Sequence, residues 1–377
     1  MTDAGEHRSN GSGHGPNGSG MVDWGLAVAT ARRLVRPGPA VSAAEARQVV
    51  ADLREYATLS EEHVRNYTGL TAVRADAPVL IVDRSGWVQA NAEAFADVLA
   101  PLTDKIRERR GRPSPLATAV GSRVTGLEAG ALLAFLSGKV LGQFDPFADN
   151  GTGTDGRLLL VAPNVVHVER ELGVVPRDFR LWVCLHEETH RVQFTAVPWL
   201  RDYFRGRIRA FLEETDLDPA RLAAQFRQGA EQFGRMIRGE DETSVLDLVQ
   251  TPAQKEILDQ LTGLMSLLEG HADVVMDGVG PSVIPTVATI REKFQQLRGS
   301  GSVSDQLLRR VLGLDTKLRQ YRDGAAFVRH VTDAVGMDGF NKVWERPENL
   351  PGKSEITDPA AWLRRVHATP ELPEQRS

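Results

Sequence analysis

The sequence predicts a mainly α protein, α+β with one small sheet, that opens on an N-terminal helical bundle. Apolar residues recur at three- and four-residue intervals over most of the 377 residues, the spacing of a single helix face. Strand signals are few: Arg157-Leu-Leu-Leu-Val-Ala162 is the clearest, and Val79-Leu-Ile-Val82 is either a short strand or a helix lead-in. With 41% hydrophobic and 25% charged residues the chain can bury a large core, so one large or two closely packed domains are expected.

Residues 1–20 are rich in Gly, Ser and Asn without an aliphatic run and read as a disordered tail, lacking the apolar core of a secretory signal. From residue 21 the composition turns helical. Trp24, Ala27, Ala31 and Leu34 share a helix face, Pro37-Gly-Pro39 interrupts it, and Ser42-Ala-Ala-Glu45 restarts it as a capping box. Further helices are expected over 42–58, 60–69 and 86–110. The segment 126–142 is the most apolar of the chain, but Glu128 and Lys139 break it below the roughly 18 residues a bilayer requires. It reads as a buried helix with small residues for close packing.

Asp145 to Gly156 is a Gly/Asp-rich turn region and the expected seam between a helical domain at 21–150 and a second domain at 151–366, with a short tail at 367–377. The strand at 157–162 follows, read structurally as an internal hairpin strand. Pro198-Trp-Leu200 marks a break, helix is expected to about 236, and Gly239–Thr243 reads as a polar loop. Residues 252–277 form a second apolar helix, ended by Gly278-Val-Gly-Pro281. Helices near 285–298, 304–313, 316–335 and 337–346 precede an extended wrap that closes in a short helix from Asp358.

Charge and cysteine content exclude several roles. A net charge of −5 leaves no electrostatic footprint for nucleic acid, and no stretch suits a membrane span. The single Cys184 excludes an intramolecular disulfide framework, which fits a cytoplasmic protein, and its place in an apolar helix reads as packing.

The chemistry concentrates in Leu181-Trp-Val-Cys-Leu-His-Glu-Glu-Thr-His190. Residues four apart lie one turn up on the same helix face, so His186 and His190 can address one ion while Glu187 reaches a water beside it. Burying two imidazoles and a carboxylate on one turn is costly unless a divalent cation compensates, and the expected cation is Zn2+. Catalytic zinc takes three protein ligands, and a third His six residues past His190 is excluded because Gln193 and Ala196 fill the positions that pattern needs.

The third ligand must come from downstream, and Leu264-Met-Ser-Leu-Leu-Glu-Gly-His-Ala-Asp273 supplies the candidates. Glu269 and Asp273 are four apart in apolar surroundings, a repulsion that a shared cation relieves. Glu269 is taken as the metal ligand and Asp273 as the acceptor of a ligating histidine's free N–H, that of His186. His271 faces roughly away from Glu269. It ranks below Glu269 as a ligand, with a swap still open, and is otherwise a proton donor or oxyanion stabiliser; Tyr321 and His330 are also available for that role.

With these residues the chain resembles the gluzincin arrangement of zinc metallopeptidases. Leu159–Asn164, Phe179–Trp182, His186–Phe194 and Pro198–Leu200 further resemble a bacterial zincin-like family associated with deazaflavin-coenzyme biosynthesis, over about residues 22–366. The resemblance implies a zincin-like fold and a metallopeptidase acting on a peptide or protein substrate, and it offers the strand at 157–162 as a substrate-aligning edge beside the internal-hairpin reading. Three ligands and an open fourth position would lower the pKa of a zinc-held water towards 7, with Glu187 as general base. Two other readings are an inactive metal-bound scaffold that binds a partner, and a non-peptidase metal hydrolase serving cofactor biosynthesis.

Overall fold

The structure is a computed structural model that describes residues 21–72, 77–110, 115–149, 155–214, 251–299 and 314–367. The sequence readings at 1–20, 215–236, 239–243, 304–313 and 368–377 lie outside the described residues.

Long helices dominate, with one small sheet, as composition and periodicity anticipate. Helix α1 (Trp24–Leu34) is capped by the Asp23 side chain, which accepts from the Leu26 amide. Helix α2 (Ala43–Thr68) is a single 26-residue helix where two were expected. Ser42 caps its start, Gly69 at φ 70° closes it, and Leu53, Ala57, Ser60 and Val64 keep one buried stripe through the expected break. Helices α3 (Arg84–Arg110) and α4 (Pro115–Ser137) complete the amino-terminal group.

Helix α4 corrects one expectation. Its small residues do serve close packing, since a Cβ on Gly126 or Gly130 would strike the α1 backbone at Asp23 or Ala27. Leu133 is buried, but Val124, Leu127, Leu132 and Phe135 are exposed, so the helix buries only the face turned to α1.

Strands β1 (Val79–Val82), β2 (Gly142–Asp149) and β3 (Asp155–Val161) form one sheet of order β1-β3-β2. The expected turn region is thus mostly strand. Within the sheet β1 runs parallel to β3 (Val79 beside Leu158) and β2 antiparallel to it (Gly142 beside Leu160). Strand β3 is therefore internal, and the substrate-edge reading of 157–162 is overturned. Its Leu158, Leu159, Leu160 and Val161 are all buried, as a strand covered on both faces requires.

Helices α5 (Ala162–Leu172), α6 (Pro176–Ala196) and α7 (Leu200–Glu213) follow, the first two opening on proline in the first turn. Helix α8 (Pro252–Val283) starts at a complete Thr251/Gln254 capping box and runs through Gly278–Pro281, where a stop was expected. Pro281 has no N–H to offer the preceding turn, so one backbone bond is lost there, and buried Val279 and Gly280 hold the turn against the core. Helix α9 spans Val287–Gly299. Helix α10 (Leu314–Phe340) kinks at Gly336, φ 72°, the boundary anticipated between 335 and 337. Short turns lead to α11 (Lys353–Thr357) and α12 (Pro359–His367).

Helix α8 is shared by the two largest cores. Val275, Met276 and Val279 join Leu53, Leu160, Phe179, Leu181 and Leu185 in one. Leu264, Leu267, Leu268 and Val274 join Phe327, Val331, Phe340 and Trp362 in the other. Burial of each large side chain contributes about 1.5–3 kcal/mol, so α8 is clamped from two sides. The back of α6 is held differently. The buried Arg180 guanidinium forks onto Glu169 at 2.6 and 2.9 Å and reaches Asp52 at 2.7 Å. Arg191 bonds Glu188 at 2.7 Å, Glu61 at 2.6 Å and the Ala77 carbonyl at 3.1 Å. These ties to α5, α2 and the approach to β1 fix α6 about its own axis.

Candidate metal centre

One turn of α6 separates His186 from His190, and their rings meet edge to face at 88° with centroids 4.8 Å apart. The two Nε2 atoms lie 3.3 Å from each other. Glu269, from the middle of α8, brings Oε2 to 3.5 Å from the His186 Nε2 and Oε1 to 3.7 Å from the His190 Nε2. Among the described residues these three are the group whose ligand atoms converge within metal-binding range.

The spacing fits zinc. Ligand atoms about 2.0–2.1 Å from a tetrahedral ion stand about 3.3–3.4 Å from one another, the separation the two imidazoles show and the carboxylate approaches. Two imidazole nitrogens and a carboxylate set this close repel through their lone pairs, and a single proton can bridge only one of the three contacts. A divalent cation satisfies all three. The side chains of His186, Glu269 and His190 are 27%, 20% and 13% exposed, so the site is open on one side to a water or a substrate.

Glu187, the next residue round the helix, is buried beside this cluster. Burial pushes its carboxyl pKa up to about 8; His190 pulls it back, and Glu269 and Glu188 add to the rise. Burial works against a charged His190, but Glu269 at its edge outweighs that and raises its pKa to about 9. Beside Glu187 runs β2, one of the two edge strands of the sheet among the described residues. A Cβ on Gly142 would lie 2.5 Å from the Glu187 Cγ and 2.9 Å from its Oε1, so glycine is the residue that lets strand and carboxylate meet.

His271 lies two residues beyond Glu269 and points the other way, as the helical period requires. It is fully buried, with its ring centroid 5.2 Å from that of Phe340 and 5.6 Å from that of Trp344. Burial, reinforced by the neighbouring charge of His190, lowers its pKa to about 3, so the ring is neutral at physiological pH. It reaches the cluster only through Gln193, whose Nε2 is 2.9 Å from the His271 Nδ1 and whose Oε1 is 3.0 Å from the His190 Nδ1. Asp273 is partly buried one turn beyond Glu269, and its backbone carbonyl accepts from Arg291 at 3.2 Å. His330 is exposed on α10, and the Tyr321 side chain lies outside the described residues. Neither His167, which pairs with Glu171 on the surface, nor Glu169, bound to Arg180, joins the cluster.

Two residues at the site carry more than their sequence positions suggested. Gln193 entered the sequence analysis only as the residue that rules out a third histidine nearby, yet it is fully buried and bonded to His190. Its place three residues past His190, on the same helix face, was the available signal. Gly142 offered none, since its partner is 45 residues away in sequence.

A family profile described as zincin-like metallopeptidase matches residues 22–363. The chain is also similar to the crystal structure of a proposed hydrolase with a novel fold from Chloroflexus aurantiacus. That match has a TM-score of 0.67 and 30% identity, and covers 92% of this chain and 99% of that one. No curated protein matches at a significant level. Family and neighbour together support a hydrolase with a zincin-like fold, whereas the link to deazaflavin-coenzyme biosynthesis rests on the sequence resemblance alone.

Proposed function

This chain belongs to the zincin-like metallopeptidase family, and we propose that its reaction is zinc-dependent hydrolysis of a peptide bond, with Glu187 as general base. The observation that carries the proposal is the triangle of His186, His190 and Glu269 ligand atoms at the edge lengths of a zinc tetrahedron, with one more carboxylate, Glu187, buried beside it. Zinc held by those three residues would supply a Lewis acid that acidifies a water and polarises a carbonyl.

The protein's own residues do the rest. Glu187 takes the proton of the attacking water and returns it to the leaving amine, and the burial that raises its proton affinity suits a group that must hold a proton between the two steps. Asp273, a turn beyond Glu269, is proposed as the acceptor for the His186 Nδ1–H, which would keep Nε2 turned to the cluster. Strand β2 is an end strand of the sheet and its Gly142 lies beside Glu187, so an extended substrate is proposed to pair along β2 with its scissile carbonyl over the histidines. His271, buried and neutral, is assigned to supporting His190 and not to the oxyanion.

Metal analysis of the purified protein and a peptide-library assay, run beside Glu187→Gln, test this reading. Stoichiometric zinc in both proteins and cleavage only in the wild type are expected. Equal cleavage by the variant removes Glu187 as the base. Zinc without turnover on any peptide would favour a partner-binding scaffold or a non-peptidase hydrolase.

A further inference from the structure

Gln193 is completely buried three residues past His190, and all the hydrogen-bonding atoms of its amide are committed. Its Oε1 lies 3.0 Å from the His190 Nδ1, and its Nε2 lies 3.0 Å from the Leu268 carbonyl and 2.9 Å from the His271 Nδ1. A primary amide has one acceptor oxygen and two N–H donors, so the three contacts use it up.

The direction of this network follows from one atom. The Leu268 carbonyl can only accept, so the amide must turn its NH2 towards α8; reversed, two carbonyl oxygens would face each other in a site without solvent. The amide oxygen is thereby aimed at His190, whose Nδ1 must donate to it. A neutral imidazole carries a single N–H, so the His190 Nε2 is left with a bare lone pair on the side where His186 and Glu269 converge. By the same logic the His271 Nδ1 accepts and its proton sits on Nε2, an atom that is buried without a hydrogen-bond partner among the described residues. His271 thus contributes a second acceptor for the amide, held in place by Phe340 and Trp344. Leu268 also precedes Glu269, so the bond that aims the amide sets the third ligand's helix against α6.

We propose that Gln193 is a positioning residue that makes His190 a metal ligand: the Leu268 carbonyl and His271 aim its amide, and the aimed oxygen holds the His190 proton on Nδ1. The inference rests on the reading of His190 as a ligand, but the proton's position can be measured with or without metal.

Long-range 1H–15N correlation of the histidine rings in the full-length protein gives that position directly. The expected result is a proton on Nδ1 and none on Nε2 of His190, both with zinc added and in metal-free protein at alkaline pH, where the ring is neutral. A His190 ring with its proton on Nε2 overturns the proposal. Zinc affinity by chelator competition provides the second readout. Gln193→Met should bind zinc about 10–100-fold more weakly, the usual loss when a ligand's hydrogen-bond partner is removed. Gln193→Glu, which still offers Nδ1 an acceptor, should recover most of that affinity even though the Leu268 carbonyl loses its donor and thermal stability does not recover. His271→Phe keeps the ring packing and the Leu268 bond and should lose less than tenfold. Wild-type affinity in Gln193→Met sinks the proposal. If the wild type binds no zinc, the ligand reading fails on its own, and the metal-free ring spectrum still decides whether Gln193 sets the proton.

Discussion

At the scale of single residues, two carboxylates in one cluster have opposite duties. Glu269 converges with both imidazoles and should be indispensable to metal: Glu269→Ala is expected to lose most bound zinc, whereas His271→Ala retains it within about tenfold. The reverse result by metal analysis would mean that the wrong residue was assigned. Glu187 should be indispensable to turnover but not to metal, with kcat falling on the order of 10²–10⁴-fold in Glu187→Gln. The same substitution should stabilise the metal-free protein in alkali. Glu187 binds its proton more tightly folded, near 8, than unfolded, near 4.5. Its contribution is therefore full below pH 4.5 and lost as pH rises through 8. Thermal melts of the metal-free proteins at pH 5 and pH 9 should show the wild type losing more between them than the variant; equal losses would show that Glu187 titrates normally.

At the scale of elements, two glycines set the spacing of the machinery. On β2, Gly142→Ala would drive a Cβ into the Glu187 side chain, displacing the base and leaving the three ligands in place. A fall in kcat of at least tenfold with unchanged zinc affinity is expected, and a fall in zinc affinity of the same size would show that β2 supports the ligands instead. On α8, Gly270 sits between Glu269 and His271 where the helix crosses α10, and a Cβ there would overlap the Gly324–Ala325 backbone. Gly270→Ala should cost about 3 kcal/mol or more in denaturant unfolding, because backbone cannot yield as a side chain can. A cost below about 1 kcal/mol would mean that the two helices separate easily. The identities of α6 and α8 were legible because their apolar content and their His and Glu spacing are local. The continuation of α2 through residue 60, of α8 through Pro281, and the exposure of one side of α4 were not legible, since partners from elsewhere in the chain decided each of them.

For the whole molecule, the buried histidine links the site to the stability of the core that holds Phe340 and Trp344. His271 has a pKa near 3 folded and 6.5 unfolded, so below pH 6.5 the unfolded chain takes up a proton that the native state refuses. Stability contributed above pH 6.5 is then lost as pH falls towards 3. His271→Phe, which keeps the packing against Phe340 and Trp344, should show a smaller drop in melting temperature between pH 7 and pH 4 than the wild type. Parallel curves would place the acid sensitivity elsewhere.

The sequence by itself determined that the protein is mainly helical and that His186, Glu187 and His190 share one helix turn, and it put Glu269 forward as the residue to join the two histidines. Each of these follows from the 3.6-residue period and from the cost of burying charge, both of which act over a few residues. Only the tertiary structure decided that β3 is internal and β2 an edge, that Gly142 meets Glu187, and that Gln193 joins His190 to Leu268 and His271. Those pairings reach across the chain, Gly142 to Leu160 at the short end and Val79 to Leu158 at the long end, and they exist because two packed cores clamp α8 against α6; no local rule encodes where one helix stops against another.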